Sequence, residues 1–306
     1  MTSPAERALA YVRGLFPAPG PSGAPARAPI TVSFHPDRLL ADGLTVVEHL
    51  AAEGVYRSQF ETGISNGGLG GDRDRWEQRM FPGAYAGTRA GRPIYGGLNL
   101  AGHPDGASPR FGSCHLVLRP EVSARATFSH GDSVTEPTVV GTASSFGAVW
   151  QALLDEVAAS GRALNLPAAS PAAWVAALSE PRTAAGRALD DYVEAQVHGG
   201  LTLSEDVEAV VADPSFRGTA VGAALASLAP GLRWSPGFEL APADFPADLR
   251  GPEVPPLAAE VAARHGRDRL DAEVIGRAAR EAAGDPQRLQ LIKYLWHILV
   301  LRGRPA

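Results

Sequence analysis

At 306 residues, 45% hydrophobic and 20% charged, the chain has an ordinary globular composition and is long enough to bury one large core or two smaller ones. Its net charge of −5 argues against general nucleic-acid affinity, which needs concentrated positive charge. A single cysteine, Cys114, excludes an intrachain disulfide and fits a reducing compartment, while no run of about 18 apolar residues suggests a membrane span. The N-terminus lacks the basic-then-apolar layout of a secretion signal, so a cytoplasmic location is expected. The basic charge is nearly all arginine, with Lys293 the only lysine.

Residues 4–15 read as a short helix, and the Pro/Gly/Ala run that follows sets residues 1–29 apart as a helix and linker. Ile30–Phe34 reads as a strand. Pro36 stops it, and Asp37 can start a helix expected to run to about Ala52. The stretch Tyr56–Gly68, YRSQFETGISNGG, then carries the densest run of groups able to bind or react. It predicts a short strand ending at Tyr56–Arg57 and a loop closing over a small ligand. Tyr56, Ser58, Gln59, Thr62, Ser65, Asn66 and Gly67 are the candidate contacts, the glycines letting backbone N–H groups come close. A surface loop tied down by its own hydrogen bonds is the alternative.

Asp72–Met80 reads as a charged helix anchored by Trp76, and the paired glycines of Tyr95-Gly96-Gly97-Leu98-Asn99 again suggest close backbone approach. Strands are expected within 110–120, 126–128, 191–198 and 207–211, and helices within 144–158 and 219–228. Residues 167–181 read as weak helix and loop, 237–256 as a second linker, and three helices follow near 257–265, 271–283 and 286–301. Strands mixed with helices, without regular βαβ alternation, make the fold class α+β. The expected division is a catalytic core over 30–236, with the linker and C-terminal helices of 237–306 packed on it.

Residues 191–198 alternate cleanly. Val193, Ala195 and Val197 face one way, and Tyr192, Glu194, Gln196 and His198 the other. A solvated strand face would also be polar, but a phenol, a carboxylate, an amide and an imidazole suit hydrogen bonding to a sugar or amide. A rival constellation is the His-x-Asp form of His35-Pro36-Asp37, His103-Pro104-Asp105 and His130-Gly131-Asp132, residue types from which a hydrolytic metal site can be built. Such triplets also occur in turns. No nucleophile elbow, Walker loop, His-Glu-x-x-His motif or dinucleotide-binding glycine fingerprint is present.

Phe34-His35-Pro36-Asp37-Arg38, Tyr56–Gly63, Tyr95-Gly96-Gly97-Leu98-Asn99, Arg110-Phe111-Gly112-Ser113-Cys114 and Glu194-Ala195-Gln196-Val197-His198-Gly199 together resemble the bacterial family called domain of unknown function 3626. More distantly, the order of these pieces is similar to the ADP-ribosyltransferase superfamily. That resemblance implies NAD as a substrate, no covalently bound cofactor, and a cleft between two split antiparallel sheets with flanking helices. It gives Arg57 the first-strand position that meets NAD, Tyr95 the aromatic beside nicotinamide, and Glu194 the catalytic carboxylate, with Gln196 beside it. It leaves open whether ADP-ribose passes to a protein, a nucleic acid, a small molecule or water. Tyr192 stands where the arginine-modifying branch has Glu or Gln, so arginine is not implied as the acceptor. The alternatives to the transferase are the metal-assisted hydrolase and a non-catalytic nucleotide-binding module.

Overall fold

The computed structural model describes residues 2–21, 28–64, 67–182, 187–228 and 230–306. Its strands are β1 Ile30–Phe34, β2 Ile94–Leu98, β3 Cys114–Leu118, β4 Ala126–His130, β5 Val140–Thr142, β6 Arg162–Ala163, β7 Leu166–Pro167, β8 Val193–Val197, β9 Val207–Ala212 and β10 Leu232–Trp234. Eight of them form one sheet in the order β10-β9-β3-β1-β2-β8-β4-β5, and β6 pairs with β7 in a separate hairpin. Every neighbouring pair in the sheet is antiparallel except β9 with β10. The chain is thus α+β, with a large, mostly antiparallel sheet and flanking helices. The strands form one continuous sheet where the superfamily resemblance implied two.

Strand register makes this sheet two-faced, because side chains alternate along each strand and directly paired residues share a face. Val32 pairs with Leu116, and Ala195 with Phe128, on the apolar side. Phe146 meets Phe128 edge-on at 5.5 Å, and the helix Gly147–Ser160 behind it buries Val149, Leu153 and Val157. Opposite lie Thr31, Ser33, Tyr95, His115, Thr127, Ser129, Glu194 and Gln196, linked by the pairs Ser33 with His115, Tyr95 with Gln196, and Ser129 with Glu194. This polar face is also covered. Trp76, Glu77, Phe81 and Tyr85 roof one part, and Trp296 of the helix Pro286–Arg302 meets His35 at 5.3 Å over another.

Several elements depart from expectation for local reasons. No helix starts at Asp37. Leu39 bridges Thr45, and Thr45 with Glu48 forms a capping box that starts the helix at Val46–Glu53. No strand ends at Arg57: Val55 makes only an isolated bridge to Thr202, and a second capping box, Ser58 with Glu61, opens the one-turn helix Gln59–Thr62. The paired glycines lie inside β2, where the close approach is to the chain itself. A Cβ on Gly96 would come within 2.6 Å of the Thr31 carbonyl, and one on Gly97 within 2.6 Å of the Ala107 Cβ. Residues 237–256 are packed as well as connecting, since Phe238, Leu240 and Phe245 belong to the main core with the C-terminal helices Val254–Arg264, Ala272–Glu281 and Pro286–Arg302.

Asp37 ties the end of β1 to those helices. Its carboxylate is buried and pairs with Arg280 at 2.6 Å. It lies against Gly276, where an added Cβ would come within 1.7 Å of Oδ2. Gly276→Ala must therefore displace the carboxylate or the helix. We expect a loss of about 2–3 kcal/mol, typical of overpacking, measurable by urea unfolding. Unchanged stability would mean that the Asp37–Arg280 link is not a tight constraint.

Candidate functional site

Four neighbouring polar side chains on β8 and β4 form a chain of hydrogen bonds that ends at Glu194. Thr127 donates its hydroxyl proton to Gln196 Oε1 at 2.7 Å. That proton is then spent, so at the 3.0 Å contact between Thr127 and His198 the ring Nε2 donates. His198 Nδ1 therefore accepts, and Tyr85 donates to it at 2.6 Å. With its oxygen facing Thr127, the Gln196 amide donates through Nε2 to Ser129 Oγ at 3.1 Å and to Glu194 Oε1 at 2.8 Å. Every donor in Tyr85→His198→Thr127→Gln196→Glu194 points the same way. His198 is held neutral, its pKa pushed down to about 3 by burial and then by Arg125.

Glu194 is only 5% exposed. Its second oxygen accepts weakly from the Ser133 backbone N–H at 3.4 Å, so both oxygens face donors, which favours the ionised form. Burial and the nearby Asp132 carboxylate work against it and win, raising the pKa to about 7. Asp132 is held by the Val134 N–H at 2.9 Å and lies 3.7 Å from Arg110, which also pairs with Asp190. The Tyr192 hydroxyl is buried beside the Asp132 carboxylate, and its ring meets the exposed Phe111 edge-on at 6.0 Å. Tyr95, paired across from Gln196, donates to Glu77 Oε1 at 2.8 Å beneath the Arg73 guanidinium, 4.5 Å from its ring.

The structure thus brings Glu194, Gln196 and Tyr95 to one face of adjacent strands. Arg57 is not with them. It is exposed and held by a bidentate pair to Glu53 at 2.7 and 2.8 Å. The remaining candidates of the organising stretch are engaged elsewhere. Tyr56 packs on Phe34, which lies on the apolar side of the sheet. Ser58 caps its own helix with Glu61, and Thr62 donates to the Ser58 carbonyl at 3.0 Å. The Gln59 Oε1 is buried and unpartnered. Gly67 is required by the Gln59 carbonyl, which an added Cβ would approach to 1.8 Å. Ser65 and Asn66 lie outside the described residues.

The His-x-Asp triplets do not converge. Asp37 pairs with Arg280, His103 donates to the Leu164 carbonyl at 2.8 Å, Asp105 pairs with the buried Arg187 at 2.6 Å, and His130 meets Glu156 at 2.9 Å. Among the described residues no group of three or more His, Cys, Asp and Glu side chains could hold a metal ion. Nor is any helix among them long and apolar enough to cross a membrane. Asp132, Thr127, Ser129, Tyr85 and Arg110 complete the site beyond the residues first singled out for it. The alternation of Thr127 and Ser129 with Ala126 and Phe128 was the available signal for β4.

A family model described as "Protein of unknown function (DUF3626)" matches residues 29–301. The chain is also similar to the "Gene 2 protein" of Mycobacterium phage L5, 29% identical over 164 residues, which are 53% of this chain and 59% of the phage protein. The match therefore spans less than two thirds of that relative.

A carboxyl group whose pKa is raised on folding favours the native state while it keeps its proton, and that contribution is lost as the pH rises toward the folded pKa. For Glu194 the window lies between the ordinary value of 4.5 and about 7. Glu194→Gln should therefore match the wild type in stability near pH 4.5 and exceed it at pH 8, by on the order of 2 kcal/mol. Thermal unfolding of both proteins across that range checks this. A difference that stays constant with pH would show that Glu194 is not the group under strain.

Proposed function

The chain belongs to the DUF3626 family, and from the geometry around Glu194 we propose that it cleaves the nicotinamide–ribose bond of NAD and passes ADP-ribose to an acceptor or to water. The observation that carries this reading is the buried Glu194 carboxylate, oriented by a one-way donor chain and lying on the same face as Tyr95 of the neighbouring strand. When the bond to nicotinamide breaks, its electron pair leaves with the nicotinamide nitrogen and positive charge builds on the ribose. An ionised Glu194 stabilises that charge in a site of low dielectric, where such stabilisation is strongest. Gln196 fixes the direction of the carboxylate, and the buried Tyr192 hydroxyl beside Asp132 offers a hydrogen bond to the sugar. Tyr95 supplies the aromatic surface for the departing ring.

The first-strand cation that the superfamily resemblance gave to Arg57 needs another bearer. One strand beside β2 is β1, and the residue that follows it is His35, an imidazole whose pKa burial pushes down to about 3, so it offers a neutral hydrogen-bonding group there and no charge. The second reading, a nucleotide-binding module without chemistry, is favoured by the 5% exposure of Glu194, since a ligand must displace neighbouring side chains to reach it.

Release of free nicotinamide from NAD separates the two readings. Turnover should rise with pH through about 7 as Glu194 ionises. Glu194→Gln should lower turnover by about 10²-fold or more, while NAD binding survives because an amide still hydrogen-bonds a ribose hydroxyl. Binding without release in the wild type would leave the module. Wild-type turnover in Glu194→Gln would remove Glu194 from the mechanism.

A further inference from the structure

The chain's only lysine, Lys293, lies on the helix Pro286–Arg302 one turn before His297, so the two share a helical face. Positive groups from three other segments gather around them. Lys293 has its pKa lowered by burial and then by the charges of Arg110, Arg38 and Arg250. His297 is pushed down to about 3 by burial, then by Arg250, Lys293, Arg110 and His35. His35 is pushed equally low by burial, Arg38 and Lys293. The charges that act on these three are positive. Arg110 is paired, with Asp190 and Asp132. Arg38, Arg250 and Lys293 have no carboxylate partner among the described residues.

Like charges held together destabilise a fold unless something of opposite sign joins them. Arg38, Arg250 and Lys293 are exposed, so water screens part of that repulsion, and two further observations bear on what joins them. His297 is 4% exposed, yet neither of its ring nitrogens has a hydrogen-bond partner. Its ring lies 6.2 Å from that of Tyr294, which in turn lies 5.7 Å from the Arg250 guanidinium, so the orphaned imidazole belongs to the cationic cluster. Arg250 itself has φ +70°, a conformation that disfavours any side chain, although Gly251 is next to it. Strain of this kind persists where the side chain is needed.

Acidic groups do stand nearby. Asp190, Asp191 and Asp248 line a cleft of about 580 Å³ together with Arg250. Asp191 is taken up by the Leu164 and Asn165 N–H groups at 2.6 Å each, and Asp190 by Arg110. Among the described residues none of these carboxylates forms an ion pair with Arg38, Arg250 or Lys293.

We propose that Arg38, Arg250, Lys293 and His297 bind the diphosphate group of a nucleotide or nucleotide sugar. Three unpaired cations match the charge of a diphosphate better than that of a single carboxylate, and the neutral His297 supplies one N–H donor. Arg110 borders both this cluster and, through Asp132, the Glu194 site. The proposal goes beyond the NAD reading and does not depend on it, because it concerns binding alone.

Titration calorimetry of the full chain at low ionic strength, with inorganic pyrophosphate as the probe, tests it. Saturable binding is expected, and ADP-ribose should displace the probe. Lys293→Met should weaken binding by about tenfold or more, the loss of one charge-assisted contact, whereas Lys293→Arg should keep most of it. Arg250→Gly should weaken binding to a similar degree while raising Tm, a combination that a structural arginine would not produce. Absence of saturable binding at millimolar pyrophosphate, failure of ADP-ribose to displace it, or equal affinity in Lys293→Met and wild type would overturn the proposal. None of these outcomes depends on nicotinamide release, so the fate of the Glu194 mechanism is read separately.

Discussion

The inner face of the sheet depends on one constraint: polar groups that water does not reach must satisfy one another. Thr127, Ser129, Glu194, Gln196 and His198 are each no more than 5% exposed. A buried donor or acceptor left alone costs about 1–3 kcal/mol, so the face is tenable only as a network. The network has a direction because threonine has one proton and glutamine two ends. Once Thr127 donates to Gln196, the amide orientation, the His198 tautomer and the Tyr85 hydroxyl are all determined. Replacing any one member reorients its neighbours, so the side chains along β8 hold one another in place.

A second network joins this face to its roof. Arg92 is 1% exposed and bridges Glu77 at 2.8 Å and Asp74 at 2.6 Å, both on the helix Asp72–Met80. Its guanidinium also lies 4.1 Å from the Phe60 ring. Glu77 in turn accepts from Tyr95 on β2. The stretch around Phe60 therefore contributes to the site by anchoring the roof, while Ser58 and Glu61 are spent on capping. The coupling runs from Phe60 through Arg92 and Glu77 to Tyr95.

What was legible in the sequence followed from period and local chemistry. The alternation of residues 191–198 placed Glu194, Gln196 and His198 on one face, because a strand leaves no other choice. The patterns Thr45-Val46-Val47-Glu48 and Ser58-Gln59-Phe60-Glu61 are capping boxes readable from four residues, and they explain the late helix start and the missing strand at Arg57. Strand neighbours were not legible. β8 lies between β2 and β4, elements far away in the chain, and that order alone brings Ser129, Asp132 and Tyr95 to Glu194. Nor could glycine pairs reveal what approaches them. At Gly96 and Gly97 it is the protein's own chain, and a ligand would have left the same mark in the sequence.

Two glutamates under the same roof show why Glu194 stands apart. Glu77 is as deeply buried, but Arg92 neutralises it and Tyr95 completes its shell, the arrangement of a carboxylate that holds structure together. Among the described residues Glu194 has no ion-pair partner. Its partners are an amide and a backbone N–H, and its charged neighbour is another carboxylate. A glutamine at this position could still meet both its oriented neighbour and the surrounding burial at lower electrostatic cost. A fold under selection for stability alone would have little reason to keep an uncompensated carboxylate beside Asp132, and buried groups shifted in this way cluster where chemistry is done. The arginines that could have neutralised Glu194 are instead committed nearby, Arg92 to Glu77 and Arg110 to Asp190 and Asp132. That division leaves one carboxylate able to change its charge near neutral pH while the groups around it stay fixed.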